Sequence, residues 1–332
     1  MKTTKTRVLV LVNPKARGGR LERNWPTRQR EILEALGSDV SVEFALTAET
    51  ERGASHVRSA LLNGFQKIVV VGGDGTLSEA IQGFFDQGRI VSPQAVLAVM
   101  PAGRGDDFFK TLSQRRFFSE RSAWEHGLKL LRKGKALPID VGRIDWLGSA
   151  PQVPRYFVNV ASFGFPGLVV QRVHAQEGVL AKSFLGRTAW TYILQGWGAL
   201  LQYRPIKTQI KVDDEILYQG DVFSGFILNG KFNAGGVCWS SDARLDDGLF
   251  HFLLLKPMSW FQQLKVTLKS LLIPWNQLDG VVHTQGKKIE IWVQPECKKS
   301  HPFFEIDGET LENADTRGAI VEILPKTICL LS

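Results

Sequence analysis

Two periodicities alternate along the first 135 residues. Residues 7–12 form a short β-branched run, closed by the turn signal Asn13-Pro14 and by the pair Gly18-Gly19. Trp25, Ile32, Leu33 and Leu36 then recur at helical spacing until Gly37. Residues 40–46 alternate as a strand, and Ala54, Val57, Ala60 and Leu61 mark the next helix. Residues 67–71 are a compact apolar strand that runs into Gly72-Gly73-Asp74-Gly75-Thr76; a helix follows with Leu77, Ala80, Ile81, Phe84 and Phe85 on its buried face. Residues 95–100 make another strand, closed by Pro101-Ala102-Gly103-Arg104-Gly105. Apolar strands separated by helices predict a parallel sheet covered on both faces, a doubly wound α/β arrangement. Ligands of such sheets sit beyond the carboxyl ends of the strands, where each of these glycine-rich loops falls.

From about residue 136 the texture changes. Residues 156–162, 209–212, 222–228, 249–255, 287–293 and 303–307 read as strands, and helical pattern is confined mainly to 166–203 and 258–272. Strands that mostly follow strands predict an antiparallel sheet or sandwich, with a domain boundary near 136–140.

Composition changes this picture little. Of 332 residues, 44% are hydrophobic and 22% charged, which excludes a disordered, collagen-like or coiled-coil chain. Lys plus Arg is 41 against 33 Asp plus Glu, and the net charge of +8 favours anionic partners. Cys238, Cys297 and Cys329 lie far apart with no Cys-x-x-Cys spacing, which argues against zinc and disulfides and fits a reducing compartment. The apolar stretch 8–12 is too short for a signal peptide, and no run reaches the length of a spanning helix. A cytoplasmic protein is expected, with attachment to a membrane surface left open. There is no zinc-finger spacing, RNP-like aromatic run or basic heptad region, so nucleic acid is not an expected partner. The six histidines are scattered and suggest no metal cluster or Ser-His-Asp arrangement.

The richest chemistry lies in 69–79. Three glycines around one acid, between a buried strand and a helix, let the backbone approach a ligand, and the N–H groups at the helix start can hold phosphate oxygens. An Asp there would repel phosphate unless it binds Mg2+ or takes a proton from a hydroxyl. The bland alternative is a tight strand-to-helix turn capped by Thr76.

The pentapeptide Gly-Gly-Asp-Gly-Thr resembles one shared by diacylglycerol kinases, sphingosine kinases, NAD kinases and 6-phosphofructokinases. Asn13-Pro14 with Gly18-Gly19, Leu46-Thr47 with Gly53-Ala54, and the segment 100–108 are similar to successive segments of the diacylglycerol-kinase catalytic family. So are 138–142, 157–164, Gly235-Gly236, Leu245-Asp246-Asp247-Gly248-Leu249 and Asp307-Gly308-Glu309, in the family's order and over nearly the whole chain. Two positions depart from its pattern: Arg104 stands in place of Thr and Asp106 in place of Asn; Ser78 replaces the usual Asn as a smaller change.

The resemblance implies a two-domain lipid kinase of the bacterial type. Residues 1–138 would be an α/β nucleotide-binding domain joined by a returning C-terminal strand within about 316–332, and 139–315 a β-rich acceptor domain. ATP would be held by Asn13, Thr47, Gly72, Gly73, Gly75, Thr76, Glu79, Gly103 and Asp107. Asp74 would organise Mg2+, the triphosphate or the acceptor hydroxyl, while Asp307 matches the proposed general base, with Glu309 in support. Asp-Gly is also the commonest hairpin turn, so the plain structural reading of Asp307-Gly308 stands beside the catalytic one. Asp247, with carbonyls near Arg244 and Leu249, matches a structural Mg2+ site; another Asp-Gly turn is the alternative. The expected partners are ATP and a lipid at a membrane surface, with a homodimer open, and the alternative to an enzyme is a catalytically weak nucleotide- or lipid-binding regulator. The first 30 residues hold nine Lys/Arg against one acid, and 172–211 six against one, around Trp190, Ile193, Leu194, Trp197 and Leu201 at helical spacing. That stretch reads as a core-facing helix closing the acceptor pocket or as an interfacial helix.

Overall fold

The computed structural model describes residues 5–47, 52–115, 117, 119–148, 152–169, 203–270, 272–294, 304–310 and 317–332. The aromatic stripe from Trp190 to Leu201 and Cys297 lie outside them.

The chain runs β1 (Thr6–Val12), α1 (Ala16–Leu36), β2 (Val40–Leu46), α2 (Arg52–Leu62), β3 (Lys67–Gly72), α3 (Asp74–Gly83), the short hairpin β4 (Phe85–Asp86) and β5 (Arg89–Ile90), then β6 (Val96–Pro101). Helices α4 (Asp107–Ser113) and α5 (Glu120–Lys133) precede β7 (Ala136–Leu147), β8 (Arg155–Phe157) and β9 (Val160–Gly164). Next come β10 (Ile206–Val212), β11 (Glu215–Val222), β12 (Ser224–Leu228), β13 (Phe232–Asn233), β14 (Val237–Cys238) and β15 (Phe250–Leu255). The chain ends with α6 (Trp260–Lys269), β16 (Val281–Gly286), β17 (Lys288–Val293), β18 (Glu305–Ile306), β19 (Glu309–Thr310) and β20 (Gly318–Leu331).

Strands β2, β1, β3 and β6 pair in that order, all parallel. Alternation along them sends Leu9, Leu11, Ile68 and Val70 to one face, against Val57, Leu61, Leu77 and Ile81 of α2 and α3. Val8, Val10, Val69 and Val71 go to the other, against Ile32 of α1 and Trp124 and Leu128 of α5. The strands are apolar on both sides because both sides are buried. Helix α5 is amphipathic and was not anticipated; Ser119 caps it by accepting the Ser122 N–H.

The C-terminal strand returns to this sheet. β20 pairs parallel with β6 at Cys329 and Leu330, and antiparallel with β7 and β17. Through it, one sheet continues from the parallel strands to β17, β10 and β11. A second, antiparallel sheet of order β16-β15-β12-β9-β18-β19 packs on that wing, with Ile144, Ile210, Ile289 and Val321 facing Phe163, Ile227, Phe252 and Leu254. The architecture is therefore an α/β N-terminal half and a C-terminal β-sandwich joined by a returning strand.

Three expected strands differ. Residues 156–162 are two strands interrupted at Val158-Asn159. Residues 222–228 divide at Phe223, where the chain leaves the large sheet for the small one. The returning strand fills most of its expected range, 14 residues, but is broken by a bulge at 325–327. Helix α6 falls within the expected 258–272.

Candidate active site

The glycine loops meet at the carboxyl edge of the parallel strands. Gly73 has φ −96°, open to any residue, yet a Cβ there would stand 2.9 Å from the Cα of Gly103. A Cβ on Gly72 would strike the Thr76 side chain at 2.5 Å. Backbone therefore touches backbone at Gly73 and Gly103, and α3 starts beside them with no side-chain cap on its first turn, where N–H groups can hold an anion. Asn13 closes one side: its Nδ2 donates to Thr76 Oγ1 (3.0 Å) while its Oδ1 accepts the Lys15 N–H (3.1 Å). Arg17, Gly18 and Gly19 follow with positive φ, so the segment before the regular part of α1 is a tight left-handed turn. Thr47 is buried at the end of β2, its N–H donating to Val12 O (2.8 Å). Glu79 lies further along α3, against the start of α2: a Cβ on Gly53 would meet its Oε2 at 2.5 Å.

Acidic groups line the floor. Asp74, in the first turn of α3, accepts the N–H groups of Asp107 and Phe108 (both 3.1 Å) and so caps α4. Desolvation and then the charge of Asp107 push its carboxyl up to about 6. Asp107 is buried and accepts from Lys110 Nζ (3.0 Å) and from the Gly235 N–H (2.8 Å), which ties the sandwich half to the floor of the cleft. Asp106 adopts φ 50°, a left-handed conformation that Asn and Asp tolerate best. Its Oδ1 accepts the Gly103 N–H (2.7 Å), and its Oδ2 faces Arg17 (3.5 Å). Desolvation and the charge of Asp74 push Asp106 up to about 7.

The sandwich half contributes Asp307 and Glu309. Glu305 pairs with Thr310 and Ile306 with Glu309 around Asp307-Gly308, both of positive φ (48° and 89°). This is a two-residue hairpin turn of the primed kind, so the structural reading of Asp-Gly holds. The same turn buries the Asp307 side chain where β8 and β9 separate. Its Oδ1 accepts the N–H groups of Val160 (2.8 Å) and Asn159 (3.2 Å), and its Oδ2 that of Val158 (3.2 Å). Desolvation, with the charges of Asp74 and Glu305, nevertheless pushes Asp307 up to about 7. Glu309 reaches the glycine loop: a Cβ on Gly75 would stand 2.7 Å from its Oε1.

Arg244, Asp247 and Leu249 are not in this cleft. Asp247 Oδ1 accepts the Leu249 N–H (3.1 Å), while the Arg244 side chain is exposed and pairs with Asp246 (3.1 Å). Buried Asp140 clamps this loop, accepting the N–H groups of Gly248 (2.7 Å) and Lys326 (2.8 Å). Asn229 Nδ2 donates to both Asp140 O (3.1 Å) and Val158 O (2.8 Å), so the loop connects by hydrogen bonds to the cradle of Asp307. Among the described residues no three His, Cys, Asp or Glu side chains converge as a ligand set. The donor chemistry still suits Mg2+, which takes oxygen ligands and commonly one or two carboxylates, with phosphates or water completing its shell. Asp140 and Asp247 are both pushed upward, first by burial, with neighbouring carboxylates adding to it, which a cation would relieve.

Sequence reasoning missed Arg17, Lys110, Asp140 and Asn229 as members of these networks. For Asp140 a signal existed, an acid set between the apolar residues Ile139 and Val141. Arg17 gave none, since its partners are 86 or more residues away; Lys110 pairs with Asp107 one helical turn before it (3.0 Å), a spacing that was open to reading.

Residues 7–144 match the family described as "Diacylglycerol kinase catalytic domain", and residues 160–332 that described as "YegS C-terminal NAD kinase beta sandwich-like domain". A Shewanella frigidimarina protein named probable lipid kinase YegS-like is 27% identical over 97% of this chain and 93% of its own. The Bacillus subtilis diacylglycerol kinase is 25% identical over 86% of this chain and 87% of its own. A diacylglycerol kinase structure from Bacillus anthracis superposes with a TM-score of 0.66 at 20% identity, covering 99% of this chain and 98% of that one. Yeast NADH kinase shares the fold more distantly, with a TM-score of 0.50 at 12% identity over 98% of this chain and 82% of that one. The chain belongs to the lipid-kinase family that joins a diacylglycerol kinase catalytic domain to a YegS-type C-terminal sandwich.

Proposed function

We propose that this protein is an ATP- and Mg2+-dependent lipid kinase that transfers the γ-phosphoryl group to the hydroxyl of diacylglycerol or a related lipid alcohol. The observation that carries the reading is the meeting of two glycine loops from the α/β half with Asp307 and Glu309 from the sandwich. Phosphoryl transfer depends on positioning and charge neutralisation; glycine loops that meet backbone to backbone beside the first turn of α3 suit the first, and carboxylates able to hold Mg2+ suit the second. Residues 1–138, with about 316–332, would hold the nucleotide through Asn13, Thr47, Gly72, Gly73, Gly75, Thr76, Gly103 and Asp107, with Glu79 bracing α3. Residues 139–315 would hold the acceptor.

Asp307 acts as the base, taking the proton of the acceptor hydroxyl as the hydroxyl oxygen attacks the γ-phosphorus and the bond to the β,γ-bridging oxygen breaks, with ADP leaving. Its Oδ2 accepts one N–H and keeps acceptor capacity. A carboxyl pushed up to about 7 has the proton affinity suited to a base near neutrality. Glu309 orients the acceptor over Gly75. Asp74 would hold the active-site Mg2+, and Asp247, with the carbonyls of Arg244 and Leu249, a structural one. Bound Mg2+ supplies neutralisation of the phosphate charges.

The test is ADP formation in mixed micelles with and without diacylglycerol. Lipid-dependent ADP release, lost by at least about a thousandfold in Asp307→Asn, supports the reading. Turnover near the wild-type rate in Asp307→Asn would remove Asp307 as the base.

A further inference from the structure

Helix α6 carries an apolar face turned away from the protein. Among the described side chains of the helix Val266 is buried, whereas Phe261, Leu268 and, just beyond it, Leu272 are 77%, 57% and 89% exposed. With Lys265 they fall at i, i+4, i+7 and i+11, one stripe along the helix. Leu272 and Ile273 lie in the turn just beyond the helix, where both donate N–H groups to Lys269 O (3.0 and 2.9 Å); Leu272 carries the stripe on and Ile273 stands beside it. The helix start is fixed by a reciprocal cap between Ser259 and Gln262. Isolated exposed leucines are common, but four large apolar residues on one short element are a patch that marks an interaction surface.

Charge decides which partner fits. From 248 to 278 the chain contains Lys256, Lys265 and Lys269 and neither Asp nor Glu; Asp279, just beyond, pairs with Lys269 (3.4 Å), which leaves Lys256 and Lys265 as the excess positive charge. An amphipathic helix with apolar residues on the outer face and lysines beside them lies in the interface of an anionic bilayer.

Strand register places this helix sensibly for a lipid. It connects Leu255 to β16, and Leu255 pairs with Ser224, which pairs with Gly164. Asp307 sits at the other end of β9, bonded to Val160. Four residues of strand, about 13 Å, separate the two ends. A lipid with its hydroxyl at Asp307 and its tails along the sheet would leave the protein on the α6 side.

We infer that the outer face of α6 and the Leu272-Ile273 turn dock the protein onto an anionic phospholipid bilayer; the inference rests on the lipid-kinase reading for its purpose but not for its test. The test is flotation with vesicles of phosphatidylcholine alone or with about a quarter phosphatidylglycerol, at low and high salt. The wild-type protein floats with the anionic vesicles, and salt weakens it. Leu268→Ser combined with Leu272→Ser lowers partitioning at least about tenfold, and Lys265→Gln lowers it about fivefold. Turnover on detergent-dispersed acceptor is unchanged in these variants. Equal flotation of the double variant, or equal salt-insensitive binding to neutral vesicles, overturns the inference. So does a wild-type dimer that binds no vesicles and becomes monomeric in the double variant, since a second copy would then cover the face. If turnover is absent while flotation follows the expected pattern, docking stands and the kinase reading fails.

Discussion

Gly73 and Gly103, thirty residues apart on different loops, touch through their backbones: a Cβ on Gly73 would stand 2.9 Å from Gly103 Cα. The φ of Gly73 would suit any residue, so the space alone demands glycine. Gly73→Ala should therefore separate the loops, costing about 1–3 kcal/mol of stability and weakening ATP binding at least about tenfold. Calorimetric titration with a non-hydrolysable ATP analogue, beside a thermal melt, checks both. An alanine variant that binds nucleotide as tightly as the wild type would show that the loops do not hold it.

Asp74, Asp106 and Asp307 are all pushed upward, to about 6, 7 and 7, from an ordinary 3.8. The folded chain binds these protons more tightly than the unfolded one. Their contribution to stability is fully present below about pH 4 and is lost as pH rises through 6 to 7. The nucleotide-free protein should thus melt about 5 °C higher near pH 5.5 than near pH 8. Turnover should run the other way, rising through about pH 7 as the Asp307 base deprotonates. A flat melting profile would place these carboxyls in better-solvated surroundings.

The clamp at Asp140 leads to a metal-dependent prediction. Chelation with EDTA should lower the melting temperature, and Asp247→Asn should abolish that drop without touching the glycine loops. Asp140→Ala leaves two N–H groups without their acceptor and should cost about 2–4 kcal/mol. An EDTA effect that persists undiminished in Asp247→Asn assigns the metal elsewhere.

The family departures at Arg104 and Asp106 have different structural weights. Arg104 is exposed, while Asp106 holds the loop through Gly103 and Arg17. An Asn amide oxygen can take the same N–H, so Asp106 preserves the loop and adds a partner for Arg17. Restoring Arg104→Thr and Asp106→Asn together should leave kcat equal or reduced. A gain of tenfold or more would favour a catalytically weak regulator over an adapted kinase.

The parallel half was legible because its strands are unbroken β-branched runs and its loops carry glycine at the strand ends. Where the reading failed, the backbone was serving side chains far away in sequence. Residues 156–162 look like one strand, but the N–H groups of Val158, Asn159 and Val160 turn to Asp307. Pro325-Lys326 looks like the end of β20, but the strand bulges and resumes because Asp140 accepts the Lys326 N–H. Both breaks serve buried carboxylates, where local pattern yields to hydrogen bonds from distant parts of the chain. Asp307-Gly308 is the hairpin turn that its plain structural reading expected, and the turn carries the Asp307 carboxylate into the N–H groups of residues 158–160. No local pattern disclosed that Arg17 would reach Asp106.

The most direct measurement is transfer of label from γ-labelled ATP to lipid. Purified protein is incubated with Mg2+ and micelles of a total lipid extract, and the lipids are then separated. A labelled lipid, absent with Asp74→Asn, is the predicted result, and its mobility identifies the acceptor class. Intact ATP binding with no labelled lipid would contradict the account and leave a nucleotide-binding protein of another kind.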